Sequence, residues 1–137
     1  MPYSLFQIEQ FLLNNNDLFS VRQMRFIIER KKDSASIGCI DIYDFDPIHL
    51  RAGIGILLQE DYRKQGYASE ALQLLLDYCF NILILKQVYC LVDSLNEDSL
   101  KLFKKIGFEQ CGYRKEWIRT PDGFIDEIEF QYINKNF

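Results

Sequence analysis

The sequence lacks the runs that mark membrane and secreted proteins. No stretch reaches the roughly 20 unbroken apolar residues of a membrane-spanning helix, and the start MPYSLFQIEQ has neither the basic segment nor the long apolar run of a signal peptide. We therefore expect a cytoplasmic protein that does not bind membranes. Because the 137 residues contain no repeat, linker or low-complexity tract, we expect one domain over residues 1–137.

Histidine and paired cysteines are also scarce. His49 is the single histidine, and the four cysteines, Cys39, Cys79, Cys90 and Cys111, form no C-x-x-C pair. This pattern predicts neither a zinc site nor a disulfide framework, so we expect no metal and expect the cysteines to be small, reduced core residues. We expect His49 to be exposed in a turn and to take no part in catalysis.

Basic residues are outnumbered by acidic ones. Sixteen Lys and Arg against 20 Asp and Glu give a net charge of -4. This balance argues against binding to nucleic acids, which requires basic surface facing phosphates. An acidic surface is compatible with a cationic substrate, although a mild acidic excess more often reflects solubility.

Apolar periodicity predicts the order helix, three strands, helix, strand, helix, two strands. The first helix begins at the capping box Ser4–Gln7 and ends at the turn Asn14–Asn16. This order implies an α+β, or mixed α/β, sheet: an antiparallel meander joined to a strand-helix-strand crossover, with helices on its faces. The later elements are strands over 21–30, 37–45 and 51–58, a mostly buried helix over 66–83, a strand over 87–93, a helix over 96–106, and two strands from 108 to 133 around the turn TPDG.

The stretch QEDYRKQGYASEAL, residues 59–72, places two bases and a glycine directly before the central helix. Amide groups and the positive end of the dipole at a helix N-terminus attract anions. Gly66 and Ala68 allow close approach, and Arg63 and Lys64 add positive charge, so a pyrophosphate is the natural occupant. A glycine that only turns the chain is the alternative. The Walker pattern and the G-x-G-x-x-G fingerprint are both missing.

Two further motifs follow this loop at a definite spacing. The strand AGIGILL precedes R-x-x-G-x-A, and VYCLVDSLNEDSLKLFKKIGFEQCGY then carries N-x-x-S at Asn96 and Ser99, followed by a helix and G-F. Together these motifs resemble the GNAT superfamily of acetyl-coenzyme A-dependent N-acetyltransferases, from about residue 26 to the end. The runs G-F-I-D-E and L-F-x-K-x-G-F are most similar to the branch of spermidine and ribosomal-protein N-terminal alanine acetyltransferases.

The resemblance implies a GNAT-like, mostly antiparallel sheet in which the strands over 51–58 and 87–93 splay apart around the cofactor. Family members usually open with a strand and a further helix before the matched region, and this chain is expected to lack both. An exposed sheet edge would then need a cover, so we expect a homo-oligomer.

The resemblance also implies acetyl-coenzyme A as cosubstrate. Its pyrophosphate is expected on the loop amides and its pantetheine arm beside the preceding strand. For Asn96 an ordinary helix cap is the alternative. Three lysines, Lys101, Lys104 and Lys105, are candidates for the 3′-phosphate, with a solvated helix face as the alternative. The implied cofactor-binding residues are Ile56, Leu57, Leu58, Arg63, Lys64, Gln65, Gly66, Tyr67, Ala68, Asn96, Ser99 and Phe103.

The implied reaction moves an acetyl group to a primary amine, which is a protein N-terminus, a polyamine or another small amine. A catalytically impaired coenzyme A-binding module is the alternative. The oxyanion donor is expected to be a backbone N–H near Leu57 or Leu58. Many family members carry a tyrosine where this chain has Phe103, which cannot donate a proton, so the acid and base stay unassigned. Candidate carboxylates near strand ends are Glu29, Asp41, Glu60 and Asp93, each of which competes with a plain surface role.

Overall fold

The computed structural model describes residues 6–11 and 18–137. Its strands are β1 (Phe6–Phe11), β2 (Met24–Arg30), β3 (Ala35–Asp46), β4 (Arg51–Leu58), β5 (Gln87–Asp93), β6 (Glu109–Thr120) and β7 (Gly123–Ile133). Its helices are α1 (Leu18–Val21), α2 (Tyr67–Asp77) and α3 (Glu97–Ile106), and a π-helical turn continues α2 to Ile82. Within these residues no helix is long and apolar enough to cross a membrane.

One mixed sheet contains all seven strands in the order β1-β2-β3-β4-β5-β7-β6. The β4–β5 pair is parallel and is joined through α2, whereas the other neighbours are antiparallel. The parallel register covers only three pairs, of which Gly53 and Tyr89 form the last. Beyond that pair the strands separate, so the predicted splayed strands and the α+β class are confirmed.

The two faces of the sheet differ in burial because side chains alternate along each strand. Even-numbered residues of the central strands, such as Ile40, Ile54 and Val88, are buried together with Leu72 and Leu75 of α2. Each such side chain contributes about 1.5–3 kcal/mol on leaving water. The odd-numbered residues of the same strands are mostly half-exposed and form the opposite face.

Several predicted elements have the observed bounds. The strands β4 and β5 match the predicted ranges residue for residue. The Asn96 side chain accepts a hydrogen bond from the Ser99 amide at 3.2 Å and so caps α3, and Gly107, with φ of 120°, ends the helix. The predicted turn separates β6 from β7.

The prediction of a first helix is wrong for Phe6–Phe11, which form the edge strand β1 paired with β2. Such a short apolar stretch fits both the helical and the strand period, and the hydrogen-bonding groups at the free edge of β2 favour the strand. The expectation of a sheet without this strand is therefore also wrong. The predicted cap and the end of the helix lie outside the described residues.

The cysteines do not share one environment. Cys79 and Cys90 are buried in the core, where burial raises the pKa of each thiol to about 12. Cys39 is half-buried, and Cys111 is exposed. The prediction of a core position is wrong for Cys111. This residue lies at a register shift of the edge strand β6, where it is paired with no residue of β7 and its exposed thiol donates to the Glu129 carbonyl.

Candidate functional site

A cavity of about 360 Å³ lies where β4 ends and α2 begins. One side is formed by the end of β4, another by the loop and first turn of α2, and a third by α3. Its lining residues are Ile56, Leu58, Arg63, Lys64, Gly66, Ala68, Ser69, Asp98, Ser99, Leu102 and Lys105.

The backbone at Gly66 leaves this cavity open toward the helix. Gly66 precedes α2 with φ of 85°, and a Cβ placed on it would have no protein atom within 4 Å. The amides of Ala68 and Ser69 lie in the first turn, where a helix supplies no acceptor of its own. Since Gly66 has no side chain with which to cap them, these amides are available to an anion, and the geometry fits a phosphate group.

Charge in the cavity favours the same kind of ligand. Arg63 and Lys64 come from the loop and Lys105 from α3, against the single carboxylate of Asp98. The Nε of Arg63 donates to the carbonyl of Leu58 at 3.2 Å, which holds the guanidinium at the end of β4. Three cations and one carboxylate suit an anion with more than one negative charge.

The slot is the gap between β4 and β5 beyond the pair formed by Gly53 and Tyr89. The amides of β4 point alternately toward β3 and toward this slot. The Gln59 amide donates to the Ile37 carbonyl at 2.8 Å, one position beyond the registered pair of Gly38 and Leu58. Because hydrogen bonding alternates along an antiparallel pair, Leu57 bonds to β3, whereas Ile56 and Leu58 direct their amides into the slot. Of the two residues expected to supply an oxyanion donor, only Leu58 faces it.

Arg30 of β2 holds the loop from outside the cavity. Its guanidinium lies 5.0 Å from the ring centroid of Tyr62 and pairs with Asp33 at 2.5 Å. A hydrogen bond to Asp33 and a further one to Tyr67 raise the pKa of Arg30. Tyr62 and Tyr67 flank residues 63–66, so these contacts fix both ends of the loop. The same pair lowers the pKa of Asp33 to about 2.

The cavity brings together seven of the twelve predicted cofactor-binding residues. Their positions agree with the loop motif, the end of the preceding strand and the first turn of α3. They are Ile56, Leu58, Arg63, Lys64, Gly66, Ala68 and Ser99.

The other five predicted residues have different surroundings. Leu57 is 63% exposed and points to the opposite face of the sheet. Gln65 donates from its side chain to the Asp61 carbonyl at 3.0 Å, and the Tyr67 side chain is buried. The Asn96 oxygen is engaged in capping α3. Phe103 is buried, with its ring 5.1 Å from that of Phe108.

Some lining residues were not predicted. Ser69 lies in the first turn of α2, and Asp98 and Leu102 lie on α3. Helical spacing is the signal that could have found Leu102, because residues one turn apart share a face. Leu102 and Lys105 follow Ser99 at about one and two turns. The same face distinguishes Lys105 from Lys101 and Lys104, which do not line the cavity.

The candidate carboxylates are dispersed, and none of the four lines this cavity as formed by residues 56–105. Asp41 accepts two hydrogen bonds from Arg25, at 2.8 and 3.0 Å. Asp93 accepts from the Leu95 amide at 3.1 Å. Glu60 is exposed in the turn after β4, and Glu29 is half-buried on β2. The geometry therefore assigns a general base to none of them.

Comparison with known proteins places this architecture in a family. Residues 1–109 match the family model described as an acetyltransferase (GNAT) domain. The spermidine N(1)-acetyltransferase of Escherichia coli K12 is 30% identical over 111 residues, which are 81% of this chain and 58% of the relative. The Vibrio cholerae spermidine N(1)-acetyltransferase is 28% identical over 133 residues, 96% of this chain and 75% of the relative.

Solved structures show the same fold. Spermidine N-acetyltransferase from Vibrio cholerae, described as dodecameric, has a TM-score of 0.76 at 24% identity and is matched over 81% of this chain and 64% of its own. A manganese complex of spermidine/spermine N-acetyltransferase SpeG from the same organism has a TM-score of 0.83 at 19% identity, over 97% and 95%. The chain thus spans less than two thirds of the first relatives it matches.

We expect acid to remove the contribution of the Arg30–Asp33 pair to stability. The pKa of Asp33 is lowered to about 2 in the folded protein, against about 3.9 for an unfolded aspartate. The pair therefore stabilises the fold above about pH 4, and this contribution is lost as the pH falls through about 2. Melting temperatures between pH 7 and pH 2 should show Arg30→Gln below wild type at pH 7, with the difference narrowing in acid as Asp33 is protonated. Lys31→Gln, which removes the same charge from the neighbouring turn, is the control. A gap that stays constant down to pH 2 would contradict the assignment.

Proposed function

Because this chain belongs to the family of GNAT acetyltransferase domains, we propose that it transfers an acetyl group from acetyl-coenzyme A to a primary amine. The observation that carries the proposal is the cavity in which the Gly66 loop, the start of α2 and the end of β4 meet beside the separated strands. The cytoplasm, expected from the sequence, is part of the same proposal.

The residues around the cavity have complementary roles in holding the cosubstrate. Arg63, Lys64 and the first-turn amides of α2 bind the pyrophosphate, and Lys105 faces the 3′-phosphate. Ile56 and Leu58 flank the pantetheine arm. When bound, acetyl-coenzyme A supplies an activated acetyl thioester. The open space above Gly66 and the excess of cations support this assignment.

The slot supplies hydrogen-bond donors, but Phe103 stands where many family members have a tyrosine that serves as the acid. The amides of Ile56 and Leu58 are aimed where a thioester carbonyl would develop negative charge. Phe103 has no proton to donate, and it is buried against Phe108. A missing general acid slows transfer by roughly 100-fold to 10,000-fold. We therefore expect slow turnover in which solvent protonates the leaving thiolate, because a free thiol titrates at about 8.5.

The acceptor is proposed to be a small amine, a polyamine or a protein N-terminus. The matched relatives from Escherichia coli and Vibrio cholerae bear the name spermidine N(1)-acetyltransferase, and the net charge of -4 is compatible with a cationic acceptor. The second candidate function is a coenzyme A-binding module that has lost catalysis. The burial of Phe103 favours it, because no tyrosine hydroxyl is available at that position.

Two measurements test the function. Acetyl-coenzyme A should raise the melting temperature, since a ligand at 100 times its dissociation constant stabilises the native state by about 2.7 kcal/mol. Release of thiol should follow when spermidine, or a peptide with an N-terminal alanine or serine, is added. Stabilisation without thiol release would favour the binding module. The absence of both would refute the proposal.

Gly66→Ala is expected to weaken binding of acetyl-coenzyme A at least tenfold without unfolding the protein. The new Cβ would meet no protein atom, so the cost to folding is only the strain of a positive φ, roughly 1–2 kcal/mol. In the complex the same methyl group would occupy space needed by the phosphate.

Gly123→Ala is the matched control for this variant. Gly123 has φ of 126° and also has open space around its Cβ position, but it lies in the β6–β7 turn. It should lose similar stability and keep full binding, as measured by titration calorimetry. Equal affinities of the two variants would argue against the phosphate site.

We propose further that the chain forms a homo-oligomer. One matched structure is described as dodecameric, and the outer strand β6 carries exposed Tyr113 and Trp117 along its 12 residues. Exposed aromatic side chains on an outer strand provide apolar surface that a second chain can cover. Light scattering at micromolar concentration should give a mass above that of one chain, and a strict monomer would contradict the proposal.

A further inference from the structure

Tyr43 of β3 lies across the neighbouring strand β4. It is opposite Gly53 in the register, and a Cβ on Gly53 would lie 2.2 Å from Cε2 and 2.5 Å from Cζ of the tyrosine ring. A Cβ on Gly55 would lie 3.9 Å from Cε1 of the same ring. The two glycines of the motif AGIGILL therefore leave a shallow groove over the backbone of β4, and the phenol ring of Tyr43 fills it.

The ring ends where the slot begins. Gly53 and Tyr89 form the last pair before β4 and β5 separate. The rings of Tyr43 and Tyr89 meet edge to face, with centroids 6.1 Å apart and an interplanar angle of 87°. Since Cζ of Tyr43 lies above Gly53, the hydroxyl attached to it is at the level of the point where the strands diverge.

This hydroxyl lies on the face of the sheet opposite the cavity. The cavity is lined by Ile56 and Leu58, which belong to the even-numbered, helix-covered face. Tyr43 and Tyr89 belong to the odd-numbered face. A cosubstrate bound at the start of α2 enters the slot from the helix side, so an acceptor must reach it from the side of the two tyrosines.

The surroundings keep Tyr43 neutral and attract cations. Burial raises the pKa of Tyr43, and Tyr89 and the carboxylates of Asp44 and Glu127 raise it further. Burial also raises the pKa of Tyr89, with Asp44 and Glu129 contributing. A protonated phenol donates one hydrogen bond and accepts others, and nearby carboxylates favour the approach of an ammonium group.

We propose that Tyr43 is an acceptor-binding residue, whose hydroxyl accepts a hydrogen bond from the incoming amine at the point where β4 and β5 diverge. The inference rests on the proposed function and adds a specific contact to it. The hydrogen bond holds one N–H of the incoming ammonium group. After the group has lost a different proton to solvent, its lone pair is directed toward the slot. The groove over Gly53 and Gly55 holds the ring in place, so the sheet backbone fixes the direction in which the hydroxyl points.

Tyr43→Phe is the direct test, because it keeps the ring and removes only the hydroxyl. We expect binding of spermidine, or of a peptide with an N-terminal alanine, to protein saturated with coenzyme A to weaken about tenfold in titration calorimetry. Binding of coenzyme A itself and the melting temperature should stay unchanged. Tyr132→Phe removes a hydroxyl from an aromatic cluster with Phe80 and Phe108 and should leave amine binding as in wild type.

Gly53→Ala tests the same contact in a second way. Its Cβ would displace the ring of Tyr43, so amine binding should weaken at least as much as in Tyr43→Phe. Combining the two substitutions should add little further loss of affinity, because both remove one contact.

The outcomes separate this inference from the proposed function. Equal amine binding by wild type and Tyr43→Phe overturns the inference and leaves the function standing. The inference is also overturned, and the function again left standing, if the wild type binds coenzyme A but neither amine. Failure of the wild type to bind coenzyme A overturns the proposed function, and the inference with it.

Discussion

The separation of β4 from β5 is the constraint on which the site depends. Three registered pairs hold the strands together, and beyond them the amides of Ile56 and Leu58 face a slot with no strand of the described sheet opposite them. Backbone groups near a protein interior need partners. A ligand that enters the slot can accept hydrogen bonds from these amides. The amides that β5 leaves unpaired are thus available for ligand binding. The crossover through α2 places the start of a helix at the same end of the slot.

The proposed anion site consists mainly of backbone amides, and the side chains around it add positive charge. Gly66 provides the turn into α2 and leaves its amides accessible, while the helix beyond it buries Leu72 and Leu75 in the core. One element thus stabilises the fold and presents the site. Arg30 reaches the loop from β2 through Tyr62 and Tyr67, which links the geometry of the loop to the edge of the sheet. We therefore expect a substitution of Arg30 to alter the loop at the proposed phosphate position.

Local patterns predicted the elements whose signals are contained within a few residues. The bounds of β4 and β5, the cap at Asn96 and the loop at Gly66 depend on apolar runs, a capping side chain and a glycine, all of which can be identified in sequence. The prediction was wrong at Phe6–Phe11. This short stretch fits both the helical and the strand period, and pairing with the edge of β2 favours the strand. It was wrong at Cys111, because a register shift on an edge strand leaves no local signal.

The sequence by itself determined the order of the elements from β2 to β7 and the start of α2 at Gly66, because capping, turn formation and periodic burial act between residues close along the chain. Only the tertiary structure decided which of the expected residues face one cavity. Leu58 lines the cavity and Leu57 does not, because side chains alternate between the two faces of β4. Lys105 lines it and Lys104 does not, because of the orientation of α3. The tertiary structure also laid Tyr43 over Gly53, a contact between strands that depends on register and on the absence of a side chain at one position.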